Sequence, residues 1–478
     1  MKKYYYERSN LLESDVNINF DELLYMNKEE TSEWIEKLRS FIISEWDDKG
    51  IPPTIGSNTK DIKKNFMKLR EYDVHNKFLI SDDDGNKNVI KNYNKHASSI
   101  NQFFPTMLKT RVQNGSIYDW FTDEYKHKFE KVILRILKRD SMYNWSKCVL
   151  DGDDIPENFF VVQHKHNAVE SIYKTLSTEE VEKLDVKHKT NLPKELDGDT
   201  YKFLVRDFKL HQKLFPAGIQ AFRLGLGQPA VNFPPLTARY LYERFTDHIN
   251  IDELEPKQLN IYDPSSGWGG RILGAMSSLK RIHYIGTDPN TDNFIDEVGI
   301  SRYEYVANFF NNEVLESNPF WEEEKNTFHY FQEGSEHIGN HTEFQQYKGK
   351  LDMVFTSPPY FDREQYSEDE EQSFKAYPKY DDWRDNFLNP TLTNAFNSLR
   401  KDRYLLWNIA DIKIGKDKYH PLEQDSIDVI ENLGGEYQGK LKMLMTSMVG
   451  VDQSNVKNSV KVNGTYLKYE PIFIFYKK

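Results

Sequence analysis

The chain has 478 residues, more than the roughly 250–300 at which a single hydrophobic core stops growing, so two domains are expected. Hydrophobic residues at 38% and aromatic residues at 14% exclude a chain that is unfolded throughout. The net charge of −12 argues against a uniformly nucleic-acid-binding surface. No run approaches the roughly 20 apolar residues of a membrane helix. The opening MKKYYYERSN has no apolar stretch behind its lysines, so the protein reads as cytosolic with no membrane partner. The single cysteine, Cys148, excludes an internal disulfide and a cysteine-based zinc site; no metal is implied.

In chain order, residues 1–200 read as a mainly helical region. Apolar positions recur at helical spacing in TSEWIEKLRSFIISEW (31–46) and YKHKFEKVILRILKR (125–139). Residues 60–147 carry 18 lysines and arginines against 11 aspartates and glutamates, so the basic excess is N-terminal. A charge run is most often a solvated helix face; it gains meaning only if the chemistry elsewhere asks for a polyanion. The Lys-, Asp- and Pro-containing stretch from Glu179 to Thr200 marks the expected boundary.

From 201 to 478 short apolar runs alternate with helical patterns: LNIYDP, IHYIGTD, FHYFQEG, DMVFTSPPY, YLLWNIAD, KLKMLMTSM and YEPIFIFYKK. Strands alternating with helices predict an α/β domain with a mostly parallel, Rossmann-like sheet. The last two runs leave no room for a crossover helix, so an antiparallel pair is expected at the sheet edge. The acidic patch Ser367 to Gln372 reads as solvated surface.

Two motifs carry chemistry. After the first strand come Asp263, Pro264, Ser265, Ser266, Gly267, Trp268, Gly269 and Gly270, a turn whose glycines let backbone approach a ligand and aim amides at it. The second strand ends in Asp288, 19 residues beyond Gly269, where a carboxylate can accept both hydroxyls of a ribose. The dinucleotide fingerprint would need glycine at 272 and finds Ile272, which disfavours NAD. The second motif is Thr356-Ser357-Pro358-Pro359-Tyr360, placed after a strand at the ligand-binding edge of an open α/β sheet. Consecutive prolines are stiff and lack amide donors. Ser357 Oγ and the Pro358 carbonyl can therefore accept both N–H bonds of an electron-poor nucleobase amine, while Tyr360 offers a ring face for an extruded base. Asp362 is a loop carboxylate that could take the amine's surplus proton, although a solvated role suits it better.

Together these motifs resemble the S-adenosylmethionine-dependent DNA amino-methyltransferases, closest to the cytosine-N4 branch, over about residues 220–478. NFPPLTARYLYERF (232–245) is similar to the family segment that borders the methionine end of the cofactor. By this resemblance Asn232, Phe233, Asp263, Ser265, Gly267 and Gly269 would hold the methionine portion, Asp288 the ribose, and Glu333, Gly334 and Ser335 the adenine edge. Thr356 would stand with the cofactor contacts and Ser357, Pro358, Pro359 and Tyr360 would form the catalytic base site. Ser265 departs from the aromatic residue usual after Asp-Pro in the family, and Gly270 is an additional glycine. The resemblance implies methyl transfer to the amino group of a base flipped from double-stranded DNA, in a bacterial or phage-infected cell. Adenine N6, an RNA base, DNA hypermodification and an inactive DNA-binding scaffold are the alternatives. The Pro-Cys nucleophile of cytosine-C5 enzymes is absent. Base recognition would fall to residues 1–200, to Asn311–Asn340 or to Phe361–Asp382.

Overall fold

Seven of the sheet-forming segments are the apolar runs read from the sequence. The computed structural model describes residues 28–49, 58–91, 98–112, 115–141, 230–315, 326–366, 370, 372–416, 418–445, 454 and 456–478, with short strands between 149 and 202. The large sheet contains β1 (Leu79–Ile80), β2 (Val89–Ile90), β3 (Leu259–Asp263), β4 (Ile282–Thr287), β5 (Thr327–Phe331), β6 (Leu351–Thr356), β7 (Leu399–Asn408), β8 (Glu436–Leu444) and β9 (Thr465–Lys477). Their spatial order is β1-β2-β8-β9-β7-β6-β3-β4-β5, with strand Ser459–Val462 attached to β9 off this path. β3 to β7 are parallel, and β9 runs antiparallel to both β7 and β8. This is the mixed, mostly parallel α/β sheet that the alternating pattern predicts.

Each central strand buries both faces, which is why it reads as a nearly continuous apolar run. Ile261, Tyr284, Met353, Phe355 and Leu406 face one core cluster, shared with helices Pro235–Phe245, Gly270–Met276 and Arg302–Asn308. Tyr262, Ile285, Val354, Leu405 and Trp407 face the other, shared with helices Asn389–Ser398 and Leu422–Asn432. The period of two therefore splits each strand between two helical layers.

The final two runs pair antiparallel, as expected, but not at an edge. β9 lies between β7 and β8, and β8 is continued by β2 in parallel register, Lys442 opposite Val89 and Met443 opposite Ile90. Lys442 Nζ sits 2.9 Å from Asp82 Oδ2 and fixes that junction.

The expected division near residue 200 is not where the described residues part. Among the described residues, those within 56–116 and 229–478 form one compact unit and those within 9–55 and 117–228 the other. Helix Thr59–Glu71 joins the first unit because Ile62, Phe66 and Leu69, at spacings of four and three, enter the core of the sheet domain. The helix is held by Arg239, whose guanidinium donates to the carbonyls of Leu69, Arg70 and Tyr72 and pairs with Glu243 at 2.8 Å. Both side chains are 2% exposed, so removing either strands a buried charge. Replacing Arg239 with alanine is expected to lower stability by about 3–5 kcal/mol in chemical denaturation; a loss below about 1 kcal/mol would contradict this role.

In the second unit, helices Lys28–Lys49 and Lys126–Ser141 appear where their periodicity placed them. Arg39 is buried and donates to the Phe121 carbonyl and to Asp123, each at 2.6 Å. Beside these helices the unit also carries short strands that the helical pattern did not announce: Val149–Asp151, Phe159–Gln163, Ser171–Thr175, Lys189–Thr190 and Thr200–Lys202. β-rich runs such as FFVVQ are too short to announce themselves beside longer helical patterns. Most of Glu179 to Thr200, the acidic patch and Cys148 lie outside the described residues.

Candidate active site

The strand order reverses between β3 and β6: β4 and β5 continue to one side, β7 to the other. In open α/β sheets a ligand crevice opens beyond the carboxyl ends of the strands at this point. The two motifs of the sequence follow β3 and β6, so the reversal sets them side by side.

Their link is Asp263, fully buried at the end of β3. Thr356 Oγ1 donates to its Oδ1 at 2.6 Å, Arg271 Nε and Tyr284 OH donate to its Oδ2 at 2.7 and 2.6 Å, and the Ser265 amide donates to Oδ1 at 3.2 Å. Burial opposes the charge of Arg271, but Asp263 beside it outweighs that cost and raises its pKa. Asp263 and Thr356 therefore spend their side chains on each other and on the turn. Both were expected among the cofactor contacts; in the fold their side-chain hydrogen bonds run to each other, to Arg271, to Tyr284 and to the turn. Short polar side chains at a strand end read equally well either way in a sequence.

The glycine turn is built for close packing. Gly267 and Gly269 have φ of 58° and 76°, a region costly to side chains. A side chain on Gly269 would meet the Phe104 ring at 2.5 Å, and one on Gly270 would strike the Phe233 carbonyl. Asn232 caps the turn: its Oδ1 accepts from the Gly270 amide at 3.1 Å and its Nδ2 donates to the Trp268 carbonyl at 2.6 Å. Phe233 packs edge-on against Phe355 and lies beneath the Arg271 guanidinium.

Five of the turn's amides are bonded within the fold. Those of Ser265, Ser266, Gly267, Gly269 and Gly270 donate to Asp263, the Thr287 carbonyl, Asp288, the Ser266 carbonyl and Asn232, respectively. Asp288, at the tip of β4, accepts from the Gly267 amide at 2.8 Å and the Asn290 amide at 3.1 Å. Burial pushes its pKa up to about 6. Tyr330 OH donates to the Asp288 carbonyl at 2.6 Å, and the Tyr330 ring stacks on Tyr303 at 4.6 Å. Tyr303 in turn donates to the Gly267 carbonyl. Neither tyrosine was read as functional, because each sits in an ordinary strand or helix pattern. The same holds for Ile100 and Phe104, whose segment crosses the glycine turn from far earlier in the chain.

After β5, Ser335 is buried, with Oγ 3.0 Å from Thr391 Oγ1 and its carbonyl accepting from Asn394. Its hydroxyl thus faces the fold. A side chain on Gly334 would meet the Glu336 carboxylate. After β6, Pro358 is buried while Ser357, Pro359 and Tyr360 are half-buried. Tyr360 OH donates to the Asn408 carbonyl at 3.3 Å. Phe361 then takes φ of 44° in a ring cage of Tyr380, Trp383 and His420, with centroids 5.5–5.8 Å away. A bulky residue in the left-handed region is a strained geometry of the kind concentrated at functional sites. Strand Glu364–Gln365 then pairs antiparallel with Arg111–Val112, and Tyr366 approaches Trp268 at 5.3 Å. Asp362 is exposed on this loop. Of the two later recognition segments, Asn311–Asn340 contains β5, and Phe361–Asp382 contains the helix Ser373–Ala376; parts of both lie outside the described residues. Among the described residues no group of histidines, cysteines and carboxylates could hold a metal ion, and no helix is long and apolar enough to cross a membrane.

The fold and site define an open α/β protein whose switch point brings together a glycine turn, an acidic strand tip and a proline-rigid strand exit. No protein-family model matches the chain, and no curated protein matches it. Solved structures overlap it in part. TrmN from Thermus thermophilus shares 13% identity over 51% of this chain and 49% of its own, with a TM-score of 0.28. A class I S-adenosylmethionine-dependent methyltransferase candidate from Listeria monocytogenes shares 14% over 55% and 66%, TM-score 0.30. A DNA modification methylase candidate, also from Thermus thermophilus and complexed with S-adenosyl-L-methionine, shares 16% over 30% and 52%, TM-score 0.21. The chain spans about half the length of the first and third of these and just under two thirds of the second. The functional reading therefore rests on the chain's own residues.

Proposed function

We propose that the protein is an S-adenosylmethionine-dependent methyltransferase acting on the exocyclic amino group of a base flipped out of double-stranded DNA, with cytosine N4 favoured over adenine N6. The observation that carries this reading is the stiff Ser357-Pro358-Pro359-Tyr360 exit of β6, tied through Thr356 and Asp263 to the glycine turn at the point where the strand order reverses. The residues fit the cofactor. With five of the turn's amides committed inside the fold, the site offers little to a pyrophosphate and suits a nucleoside cofactor without phosphates. The turn backbone at Gly267–Gly269 would border the methionine portion and Asp288 the ribose.

S-adenosylmethionine, when bound, supplies a methyl group activated on a sulfonium. The Ser357 hydroxyl and Pro358 carbonyl accept the two N–H bonds of the target amine and orient its lone pair. Tyr360 stacks on the flipped base. The oriented amine would accept the methyl from the sulfonium, leaving the bond's electrons with the thioether, and its surplus proton would pass to water. Positioning of the two reactants provides most of the acceleration.

The test is incubation with methyl-labelled S-adenosylmethionine and mixed unmodified duplex DNA, digestion to nucleosides and mass spectrometry. Labelled N4-methylcytosine is expected; N6-methyladenine corrects the base, and no label despite measured cofactor binding overturns the reading.

Asp288 gives a pH prediction. Its pKa is raised on folding by burial, to about 6, so the fold favours the protonated acid. That contribution is complete below the ordinary aspartate range and is lost as pH rises through about 6. The ionised form is the one that accepts ribose hydroxyls, so cofactor affinity is expected to climb as pH rises through 6 and to level off by pH 8. Calorimetry on the wild type should show this climb, and Asp288→Ala should bind weakly without it. Unchanged affinity in the folded variant would remove Asp288 from the cofactor site.

A further inference from the structure

Beyond β7 the chain turns into a hairpin, Ile412–Gly415 paired with Lys418–His420, with Ile412 opposite His420 and Lys413 opposite Tyr419. β7 is parallel to β6 and ends at the same edge of the sheet as the Ser-Pro-Pro-Tyr exit. The base of the hairpin is fixed beside that exit. His420 stacks on Tyr380 at 4.2 Å and 16°, and both rings contact Phe361, the residue after Tyr360. Tyr380 is held in turn by a 2.6 Å bond to Asp425. Ile412 is buried, and Asp411 accepts from the Glu423 amide at 2.8 Å.

The outer part has a different character. Lys413, Gly415, Lys416 and Lys418 are all exposed, and Ile414 is 55% exposed among them. None of these lysines has an ion-pair partner among the described residues. The acidic residue at the base, Asp411, is paired with Lys457, so its charge is already matched and does not cancel theirs. The hairpin sequence also holds Asp417 between Lys416 and Lys418, so three lysines against one aspartate leave it at +2, a local reversal of sign within a chain of net charge −12. Three extended residues reach about 10 Å, enough to set ammonium groups along a strand of nucleic acid whose base is turned into the crevice.

We propose that the hairpin Ile412–His420 grips the phosphate backbone of duplex DNA beside the flipped base, its lysines on phosphates and Ile414 against the sugar edge. This rests on the methyltransferase reading and deepens it by assigning a binding surface outside the base site. The lysines supply position rather than sequence readout.

The test compares the wild-type chain with a K413A/K416A/K418A variant and with K413R/K416R/K418R. Each is titrated against a fluorescent mixed-sequence duplex at several salt concentrations, with S-adenosylmethionine affinity and the thermal midpoint as checks on the fold. The alanine variant is expected to bind the duplex about tenfold more weakly, with the log–log salt slope reduced by about 0.9 for each phosphate that is no longer neutralised. Cofactor affinity and midpoint should stay unchanged, and the arginine variant should bind like the wild type. If the wild type binds and methylates DNA while the alanine variant matches it in affinity and salt slope, the hairpin assignment is wrong and the methyltransferase reading stands. If the wild type neither binds nor methylates duplex DNA, both fall together.

Discussion

Asp263→Ala is expected to cost about 3–5 kcal/mol of stability and to abolish cofactor binding, because the substitution leaves the Arg271 guanidinium charged and uncompensated in a buried site. The same change removes the acceptor for Thr356, Tyr284 and the Ser265 amide, so the glycine turn and the Ser-Pro-Pro-Tyr exit lose their common anchor. Urea denaturation followed by circular dichroism measures the loss. Thr356→Val separates the two consequences: it deletes one hydrogen bond, worth about 1 kcal/mol net, while the Asp263–Arg271 pair remains. Its protein should be nearly as stable as the wild type yet methylate more slowly, since the exit is no longer tied to the turn. A stable Asp263→Ala variant with normal cofactor affinity would show that the two motifs are held together by something else.

Tyr360→Ala should leave cofactor affinity intact and reduce turnover roughly 10- to 100-fold, since stacking of a base on an aromatic ring is worth about 1–3 kcal/mol. Tyr360→Phe keeps the ring and loses only the long bond to the Asn408 carbonyl. It should stay within a few-fold of the wild type. The comparison is made under single-turnover conditions, where product release does not mask the chemical step. If phenylalanine is as damaging as alanine, the hydroxyl matters and the ring does not, and the stacking role is wrong.

How far such roles can be read before the chain is folded depends on what encodes them. β3, β4, β6 and β7 are buried on both faces, and burial leaves a continuous apolar signature that also fixes where each motif falls relative to the sheet edge. Gly269 and Gly270 are legible because only a missing side chain satisfies their surroundings. The duty of Asp263 is not, since three of its donors come from Arg271, Tyr284 and Thr356 on other elements and meet only after packing. Two-residue strands such as Val89–Ile90 carry no periodicity at all; they exist because β8 offers an unpaired edge. Phe361 gives no sign of its positive φ, which is imposed by the cage of Tyr380, Trp383 and His420.

The placement of β9 has a consequence for how the protein comes to be made. It follows every other strand of the large sheet along the chain, yet it sits inside, with β7 on one side and β8 on the other. During synthesis β3 to β7 can assemble as they leave the ribosome. β8 and the β2 strand beside it have nothing to bridge them to that half until Thr465–Lys477 has been translated. The nascent chain therefore carries an open, hydrogen-bond-hungry edge at β7 for as long as the ribosome takes to reach the last strand. Pauses in translating the stretch between β7 and β9 would prolong that exposure, and pauses before β7 would not.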